Sequence, residues 1–486
     1  MEERFGEKAF CIHGHFYQPP REDPINGLIP LEPGAAPYDN WNERIFAQCY
    51  QPNTELGNFE RISFNVGPTL VEWMEGTHPD ILAQIVEQDR KNYEKYGIGN
   101  AMAQSYNHTI LPLASLRDKI TQIRWGIYDF QHLFGHAPEG MWLPETAVDN
   151  ETLEVLTDHG IQYTILAPWQ IEGDRLDPTK PYRVELSNGK HIHVFFYHRE
   201  LSTRISFDPG ATSNADAFVL NTLMPQFNTT KKGIKNPQMI LIASDGEVYG
   251  HHQPFRDKFL SYLTTGAIEN EAIRLTYPGL WLKKHPVRQK ANIIENTSWS
   301  CHHGVTRWMG DCDCTPHSTW KAPLRMAFNQ IAEMIDQAYL KQLKPFHIDD
   351  PWELRHRYIE VIRQKISVND LVRELSGKDL DDQKTVSFLH LLDAQNERQR
   401  MFTSCGWFFD DFDRIEPRNN VAYAAQAVWL TYLATGLDLS TKAVTWLKSV
   451  KSWRSGLRAD IVFMHHLERA RQRKNGDISY SDISQA

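Results

Sequence analysis

The stretch Met239-Ile240-Leu241-Ile242-Ala243 is apolar at every position, breaks at Ser244-Asp245-Gly246, and is followed by Glu247, His251 and His252. A run that is apolar throughout, rather than at alternate positions, suits a strand covered on both faces at the centre of a parallel sheet. Asp245 and Glu247 are then expected to emerge at the strand's C-terminal edge, where open α/β sheets and barrels place their sites. A carboxylate delivered there needs a chemical partner.

From Lys8 to about Pro286, short apolar runs alternate with amphipathic segments, the pattern of βα units. The predicted strands are Ala9 to His13, Arg61 to Val66, Ala101 to Ser105, Gly140 to Leu143, Ile161 to Leu166, His191 to Tyr197 and Met239 to Ala243. This series fits a barrel better than a small sandwich. Asp80 to Tyr96, Leu116 to Phe134 and Asp149 to His159 read as helices, the last stopped by Gly160. Gln18 to Pro52, rich in Pro, Gly and Asn, is too long for an ordinary connection and is expected to wall a binding site.

After about Thr319 the texture turns helical. In Trp320 to Leu340 the apolar positions follow one helical face, and similar patterns recur in Pro351 to Ile366, Thr385 to Arg400, Asn420 to Tyr432 and Lys442 to Leu467. The last ten residues or so, polar and rich in Ser and Asp, are expected to fray. The predicted organisation is therefore a barrel domain over 1–290, a Cys/His/Trp-rich loop over 291–319 and an all-helical domain over 320–486.

Length and charge narrow the function classes. A chain of 486 residues exceeds what one core usually serves. Its net charge of -9 supplies no basic stripe for a phosphate backbone, so no nucleic-acid partner is expected. A small neutral ligand is more natural, and 14 Trp, 18 Tyr and 23 Phe supply aromatic faces that stack on sugars as well as filling cores. Residues Met1 to Lys8 lack an apolar signal region and no stretch is apolar enough to span a bilayer, so a cytoplasmic protein without a membrane partner is expected.

A second acid, Glu145, stands at the end of Gly140-Met141-Trp142-Leu143-Pro144-Glu145-Thr146. Two carboxylates at adjacent strand ends are what glycosidic cleavage requires, one attacking or activating water and the other protonating the leaving oxygen. The plainer alternative is that Glu145 caps the helix that follows. His13 and His15, in His13-Gly14-His15-Phe16-Tyr17-Gln18-Pro19, share one face of a strand. They could ligate a metal, donate to sugar hydroxyls or be structural.

In order and spacing, His13 to Pro19, the WLPE core of Gly140 to Thr146, and the DGExxG pattern of Ser244 to His251 resemble the motifs of family 57 glycoside hydrolases. The resemblance covers roughly the first 300 residues. It implies an α/β fold, an incomplete (β/α)7 barrel followed by a helical region, and an enzyme of the amylase, 4-α-glucanotransferase or α-glucan branching type. It further implies a retaining mechanism with Glu145 as nucleophile and Asp245 as general acid/base, the two carboxyls about 5 to 5.5 Å apart. Asp245 must then be protonated while Glu145 is ionised, and a neighbouring negative charge is the physical means of keeping it so. His13 and His15 would line the reacting subsite beside Trp142, Glu247 would orient a histidine or a hydroxyl, and His251 would line or support the sugar site. Ala101 to Leu113 departs from the family pattern, with Gln104 and Asn107 where an acid or Pro is expected.

Ser298 to His317 holds three Cys, three His and two Trp. Cys301, His302 or His303, Cys312 and Cys314 could form a tetrahedral zinc site, although Cys312-x-Cys314 is tighter than the usual gap. Two other readings stand: a loop over the barrel mouth with Trp299 and Trp308 as stacking platforms and His302, Arg307 and Asp311 reaching hydroxyls, or a packed interdomain linker with buried thiols. Trp407, Asp410 and Asp411 could extend the subsites or simply pack. The reading adopted is an enzyme on α-glucan or a related oligosaccharide, needing no metal or cofactor. The alternatives are a metal-dependent barrel hydrolase of mannosidase or deacetylase type, with His13, His15, Asp245 and His251 as ligands, and a non-catalytic glucan-binding protein.

Overall fold

The computed structural model describes residues 7–173, 176–228 and 236–474. The chain divides into two compact units. The first comprises 1–18, 31–106 and 126–300, the second 19–30, 107–125 and 301–486.

The first unit is organised by strands β1 (Lys8–Phe16), β2 (Ser63–Val66), β3 (Ala103–Gln104), β4 (Met141–Trp142), β5 (Tyr163–Leu166), β6 (Tyr182–Glu185), β7 (His191–Phe196) and β8 (Gln238–Asp245). β1 pairs in parallel with both β2 and β8, β3 with β4, and β5 with β7. Single parallel bridges, Phe64 to Ala101 and Gly140 to Tyr163, continue the series from β2 to β3 and from β4 to β5. Just past β7, the His198 N–H donates to the Leu241 carbonyl of β8 at 2.7 Å. All seven predicted strands are present, and each lies beside its predecessor in the predicted series. The uniformly apolar β8 is buried from Gln238 to Ser244, as a strand covered on both faces must be.

Strand periodicity explains where the core ends and the chemistry begins. Ala9 and Cys11 of β1, Met239, Leu241 and Ala243 of β8, Tyr163 and Ile165 of β5, and Phe195 of β7 share one apolar cluster with Trp142. Side chains two apart share a face, so the same columns continue upward as His13 and His15 on β1 and as Asp245 on β8. The face turns from apolar to polar at the C-terminal ends of the strands. Each fully buried aliphatic or aromatic side chain below contributes about 1.5–3 kcal/mol, and that packing holds the polar layer in place.

The helix Asn150–Asp158 is capped by Asp149, whose carboxylate accepts the Thr152 N–H at 2.8 Å. Glu145 is therefore not the cap. Among the described residues three strands are absent from the sequence reading, the two-residue Arg274–Leu275 and Gln289–Lys290 and the longer β6. β6 forms an antiparallel hairpin with β7 across Asn188-Gly189, with Gly189 in the left-handed region at φ 79°. Asn-Gly is a strong short-range hairpin signal, overlooked because the strand before it is only four residues long.

In the second unit the long helices are Lys321–Leu343, Asp382–Arg400, Ile415–Thr435 and Ala459–Lys474. The single helix predicted over Lys442 to Leu467 is instead two, Ser440–Leu447 and Ala459–Lys474. Buried Asp411 organises the break, its carboxylate accepting the Ser452 hydroxyl and the Trp453 and Arg454 N–H groups at 2.8–3.2 Å. Helical periodicity does not register a carboxylate contributed from about forty residues upstream. The segment from Pro351 also divides, into Pro351–His356 and Tyr358–Ile362, and ends at left-handed Gln364. Trp407 is fully enclosed, with the Arg325 guanidinium 4.0 Å from its ring. Trp407 and Asp411 thus pack rather than extend a subsite. The predicted fraying of the last ten residues lies outside the described residues. No helix among the described residues is long and apolar enough to cross a membrane.

Candidate active site

The strand register sets one polar row across three neighbouring strands, with His15 of β1 opposite Asn65 of β2 on one side and Asp245 of β8 on the other. Asn65 Oδ1 lies 3.2 Å from His15 Nδ1 and 3.2 Å from His13 Nε2, and its Nδ2 donates to Gln104 Oε1 at 2.7 Å. His13 Nδ1 meets the Ser63 hydroxyl at 2.9 Å. Both imidazoles stack on Trp142, with centroids 4.6 Å (His13) and 5.2 Å (His15) from the indole. Burial pushes His13 down to about 3, with His15 adding a like charge, and burial likewise pushes His15 down to about 4. Both rings are therefore neutral near pH 7, acting as hydrogen-bonding groups and not as cations.

Two expectations change here. His13 is 0% exposed and both ring nitrogens are engaged, so it braces His15 and Asn65 and cannot line a sugar subsite. Trp142, also 0% exposed, forms the floor beneath the two histidines and not a contact surface.

At the end of β8 the motif Asp245-Gly246-Glu247-Val248-Tyr249-Gly250 turns sharply. Gly246 faces the Phe16 ring so closely that a Cβ would sit 2.3 Å from it, and Gly250, at φ 146°, would place one 2.1 Å from the Gln48 carbonyl oxygen. Those two approaches account for both glycines of the motif. Glu247, buried, accepts the Tyr17 N–H at 3.1 Å and the Tyr50 hydroxyl at 2.7 Å. Burial pushes Glu247 up to about 7 despite these donors. Asp245 opens to solvent at the strand end but is ringed by protein, and desolvation followed by the charges of Glu247 and Glu145 push it up to about 8. Water reaching the carboxyl screens part of that push and leaves its upward direction intact. The direction of the push favours the protonated form of Asp245 at neutral pH.

Glu145 lies on a strained turn. Glu145 and Thr146 are consecutive left-handed residues, at φ 58° and 49°, a conformation costly for a β-branched threonine. Gln170, fully buried, holds the turn: its Oε1 accepts the Thr146 hydroxyl and its Nε2 donates to the Thr146 carbonyl, both at 2.8 Å. The turn leaves Glu145 half-buried, with Oε2 accepting the Trp299 indole N–H at 2.9 Å and the Ser300 hydroxyl at 2.6 Å. A further main-chain bond, Trp299 N–H to the Glu145 carbonyl at 3.0 Å, ties the two segments. Two donors on one oxygen fix the plane of the carboxylate. Its charge is close enough to raise Asp245.

Trp299 therefore positions Glu145, its ring edge-on to Trp142 at 5.1 Å and to His15 at 6.4 Å. His251 is half-buried, with Nδ1 2.7 Å from Gln48 Oε1, and supports the segment after Glu247 from the side. His302 and Trp308 belong to the second unit: His302 is exposed, and Trp308 is 0% exposed with Arg325 donating to its carbonyl, so it fills a core and offers no stacking face. Among the described residues, the His, Cys, Asp and Glu side chains that converge as a ligand set are those of Cys301, His303, Cys312 and Cys314. Sequence reading missed Asn65, Tyr50, Gln170 and Ser300. Ser300 adjoins a singled-out tryptophan and Tyr50 lies in the long segment expected to wall a site, but Asn65 and Gln170 carry no signal beyond being polar inside apolar surroundings.

Chemically, Asp245, pushed toward its protonated form, lies within the electrostatic reach of Glu145, a second and rigidly held carboxyl, beside the neutral imidazoles of His13 and His15.

Comparison with known proteins agrees with this construction. The family model described as "Glycosyl hydrolase family 57" matches residues 13–293, and that of a domain of unknown function, DUF3536, matches residues 317–471. A 4-alpha-glucanotransferase of Thermococcus litoralis is 26% identical over 174 residues, 34% of this chain and 25% of that protein. Alpha-amylase 1 of Dictyoglomus thermophilum is 25% identical over 220 residues, 43% of this chain and 29% of that protein. The chain spans between a quarter and a third of the length of these curated relatives. The fold resembles that of an exo-type maltose-forming amylase from Pyrococcus sp. ST04, with TM-score 0.74 and 16% identity over 98% of this chain and 93% of that one. It also resembles a branching enzyme from Pyrococcus horikoshii, with TM-score 0.60 and 13% identity over 98% and 97%. With its family model matched across more than half its length, on the residues that build the carboxylate pair, the chain belongs to glycosyl hydrolase family 57.

Proposed function

We propose that this protein is a retaining enzyme on α-glucan or a related oligosaccharide, acting by hydrolysis or transfer through a covalent glycosyl-enzyme intermediate. The catalytic domain is residues 1–290, its parallel strands forming an incomplete (β/α)7 barrel, and 291–319 leads into the helical domain 320–486. The relatives named as glucanotransferase and amylases support the substrate class. The observation that carries the mechanism is the pairing of Asp245, pushed toward its protonated form by desolvation and by neighbouring carboxylates, with Glu145 on its braced turn.

Glu145 attacks the anomeric carbon as Asp245 passes its proton to the departing glycosidic oxygen. Asp245, now ionised, takes a proton from water or from a sugar hydroxyl as that oxygen attacks the same carbon and releases Glu145. Trp299 and Ser300 keep the Glu145 carboxylate oriented for both steps. His15, neutral and packed on Trp142, offers hydrogen bonding to the reacting sugar, while Glu247 and His251 hold the segment that carries Asp245. The metal-dependent reading does not gain from the geometry: the His13 nitrogens meet Ser63 and Asn65, and His251 Nδ1 meets Gln48.

A product screen against α-glucans and other oligosaccharides, with Glu145→Gln as the blank, tests the proposal. Shortened or rearranged α-glucans that vanish in the blank are expected. Equal products from both proteins, or binding without turnover in either, would overturn it.

A further inference from the structure

The second unit begins with a cluster of soft ligands that the proposed chemistry does not use. Cys301, His303, Cys312 and Cys314 bring three sulfurs and an imidazole nitrogen within 4.8 Å of one another. Cys301 Sγ lies 3.6 Å from Cys312 Sγ, and His303 Nδ1 lies 3.2 Å from Cys312 Sγ and 3.5 Å from Cys314 Sγ.

Those separations match the edges of a metal tetrahedron. With Zn–S near 2.3 Å and Zn–N near 2.0–2.1 Å, tetrahedral geometry puts two sulfurs about 3.8 Å apart and a sulfur and a nitrogen about 3.6 Å apart. A disulfide would need about 2.05 Å between sulfurs, so Cys301 and Cys312 stand at ligand spacing and not at bonding distance. The local backbone is built for the arrangement. Two tight turns, closed by Gly304 N–H to the Cys301 carbonyl at 3.2 Å and by Thr315 N–H to the Cys312 carbonyl at 2.7 Å, aim the side chains inward. Main-chain N–H groups of Cys314 and His302 reach the sulfurs of Cys312 and Cys314 respectively, the bonds that a thiolate accepts well.

A separate observation calls for negative charge at this spot. Lys321, the first residue of the helix Lys321–Leu343, is 0% exposed, with its ammonium donating to the Thr315 hydroxyl at 2.8 Å. Arg307, another cation, lies in its field beside Cys301, Cys312 and Asp311. Asp311 spends one oxygen on the Ser318 N–H and hydroxyl, at 3.1 and 3.0 Å. Three neutral thiols would leave two cations beside one carboxylate, whereas three thiolates and a neutral imidazole around a divalent ion carry a net charge of minus one and balance the pocket.

We infer that Cys301, His303, Cys312 and Cys314 form a structural zinc site that knots the start of the second unit onto the N-terminus of the helix Lys321–Leu343. All four protein ligands are present, which closes the coordination sphere and distinguishes the site from an open catalytic one. Of the two adjacent histidines the geometry selects His303, while His302 contributes its main-chain N–H.

The test uses the full-length protein, purified without chelator, loaded with zinc and desalted. Elemental analysis should find about one zinc per chain, and cobalt exchanged into the site should give the sulfur-to-metal charge-transfer and visible bands of a tetrahedral thiolate centre. Cys312→Ser and His303→Ala should each retain less than about a tenth of the metal, while His302→Ala retains it all. Wild-type protein that neither holds zinc nor develops the cobalt bands would overturn the assignment, whatever the variants do. So would an intact mass showing a Cys301–Cys312 disulfide, or metal lost in His302→Ala and kept in His303→Ala. None of these outcomes depends on glycoside turnover, so the site and the proposed function stand or fall separately.

Discussion

Asp118 of the second unit and Asp245 of the first are carboxylates set in opposite electrostatic surroundings. In the second unit, burial would raise Asp118, but Arg398 and Arg355 outweigh it and hold the carboxyl well below its usual range. Arg398 reaches Asp118 and Asp336 at 2.8 Å each, Arg355 reaches Asp118 at 3.0 Å, and Gln399 and Gln395 complete the network. Around Asp245 the desolvation by surrounding protein is reinforced instead: the charged groups that act on it are two further carboxylates, and their push is upward. A buried acid matched with guanidinium groups is architecture, permanently ionised and chemically inert. One set beside other acids is held protonated at neutral pH, at a cost to stability, and can give its proton away.

The sharpest way to break this contrast is Asp245→Asn. On α-glucan, where the leaving oxygen must be protonated, kcat/KM should fall on the order of 10²–10⁴-fold. Aryl glycosides with good leaving groups should lose less than about tenfold in the glycosylation step, because they need no proton. Equal losses on both would show that Asp245 does not act as the acid. In the wild type, kcat/KM on α-glucan should decline as pH rises through about 8. The same raised value gives a stability contribution present below the unfolded Asp value of about 3.9 and lost as pH climbs through the folded one. Thermal unfolding of Asp245→Asn should therefore deteriorate less than wild type between those limits.

Asp118→Asn probes the other side. Removing one partner from a buried ion network leaves two guanidinium groups, Arg355 and Arg398, with the single carboxylate of Asp336 and should cost about 3–5 kcal/mol in denaturant unfolding. Its sign with pH is reversed: a depressed carboxyl stabilises above the unfolded value of about 3.9 and loses that contribution as pH falls below it. A loss under about 1 kcal/mol in Asp118→Asn would mean that solvent, and not the arginines, balances Asp118.

What the sequence disclosed followed from locality. The strand series, the apolar-to-polar change along β1 and β8, and the candidacy of Glu145 and Asp245 were readable because each rests on period-two patterning and short motifs. Asn65, Gln170 and Tyr50 were not, since their importance arises from contacts with residues far along the chain: Asn65 with His15, Gln170 with Thr146, Tyr50 with Glu247. Trp308 was misread because a tryptophan beside histidines looks the same in sequence whether it faces a ligand or a core. The choice of His303 over His302 likewise awaited geometry, as adjacent residues point to different places.

The proposed mechanism requires Glu145 to be the group that bonds to the sugar. Incubating the enzyme with an activated fluorinated α-glycoside, which forms the intermediate faster than it hydrolyses, followed by peptide mass spectrometry, measures this directly. The glycosyl mass should appear on the peptide containing Glu145 and be absent from Glu145→Gln. Label on Asp245 or Glu247, or sustained turnover of glucan by Glu145→Gln, would contradict it.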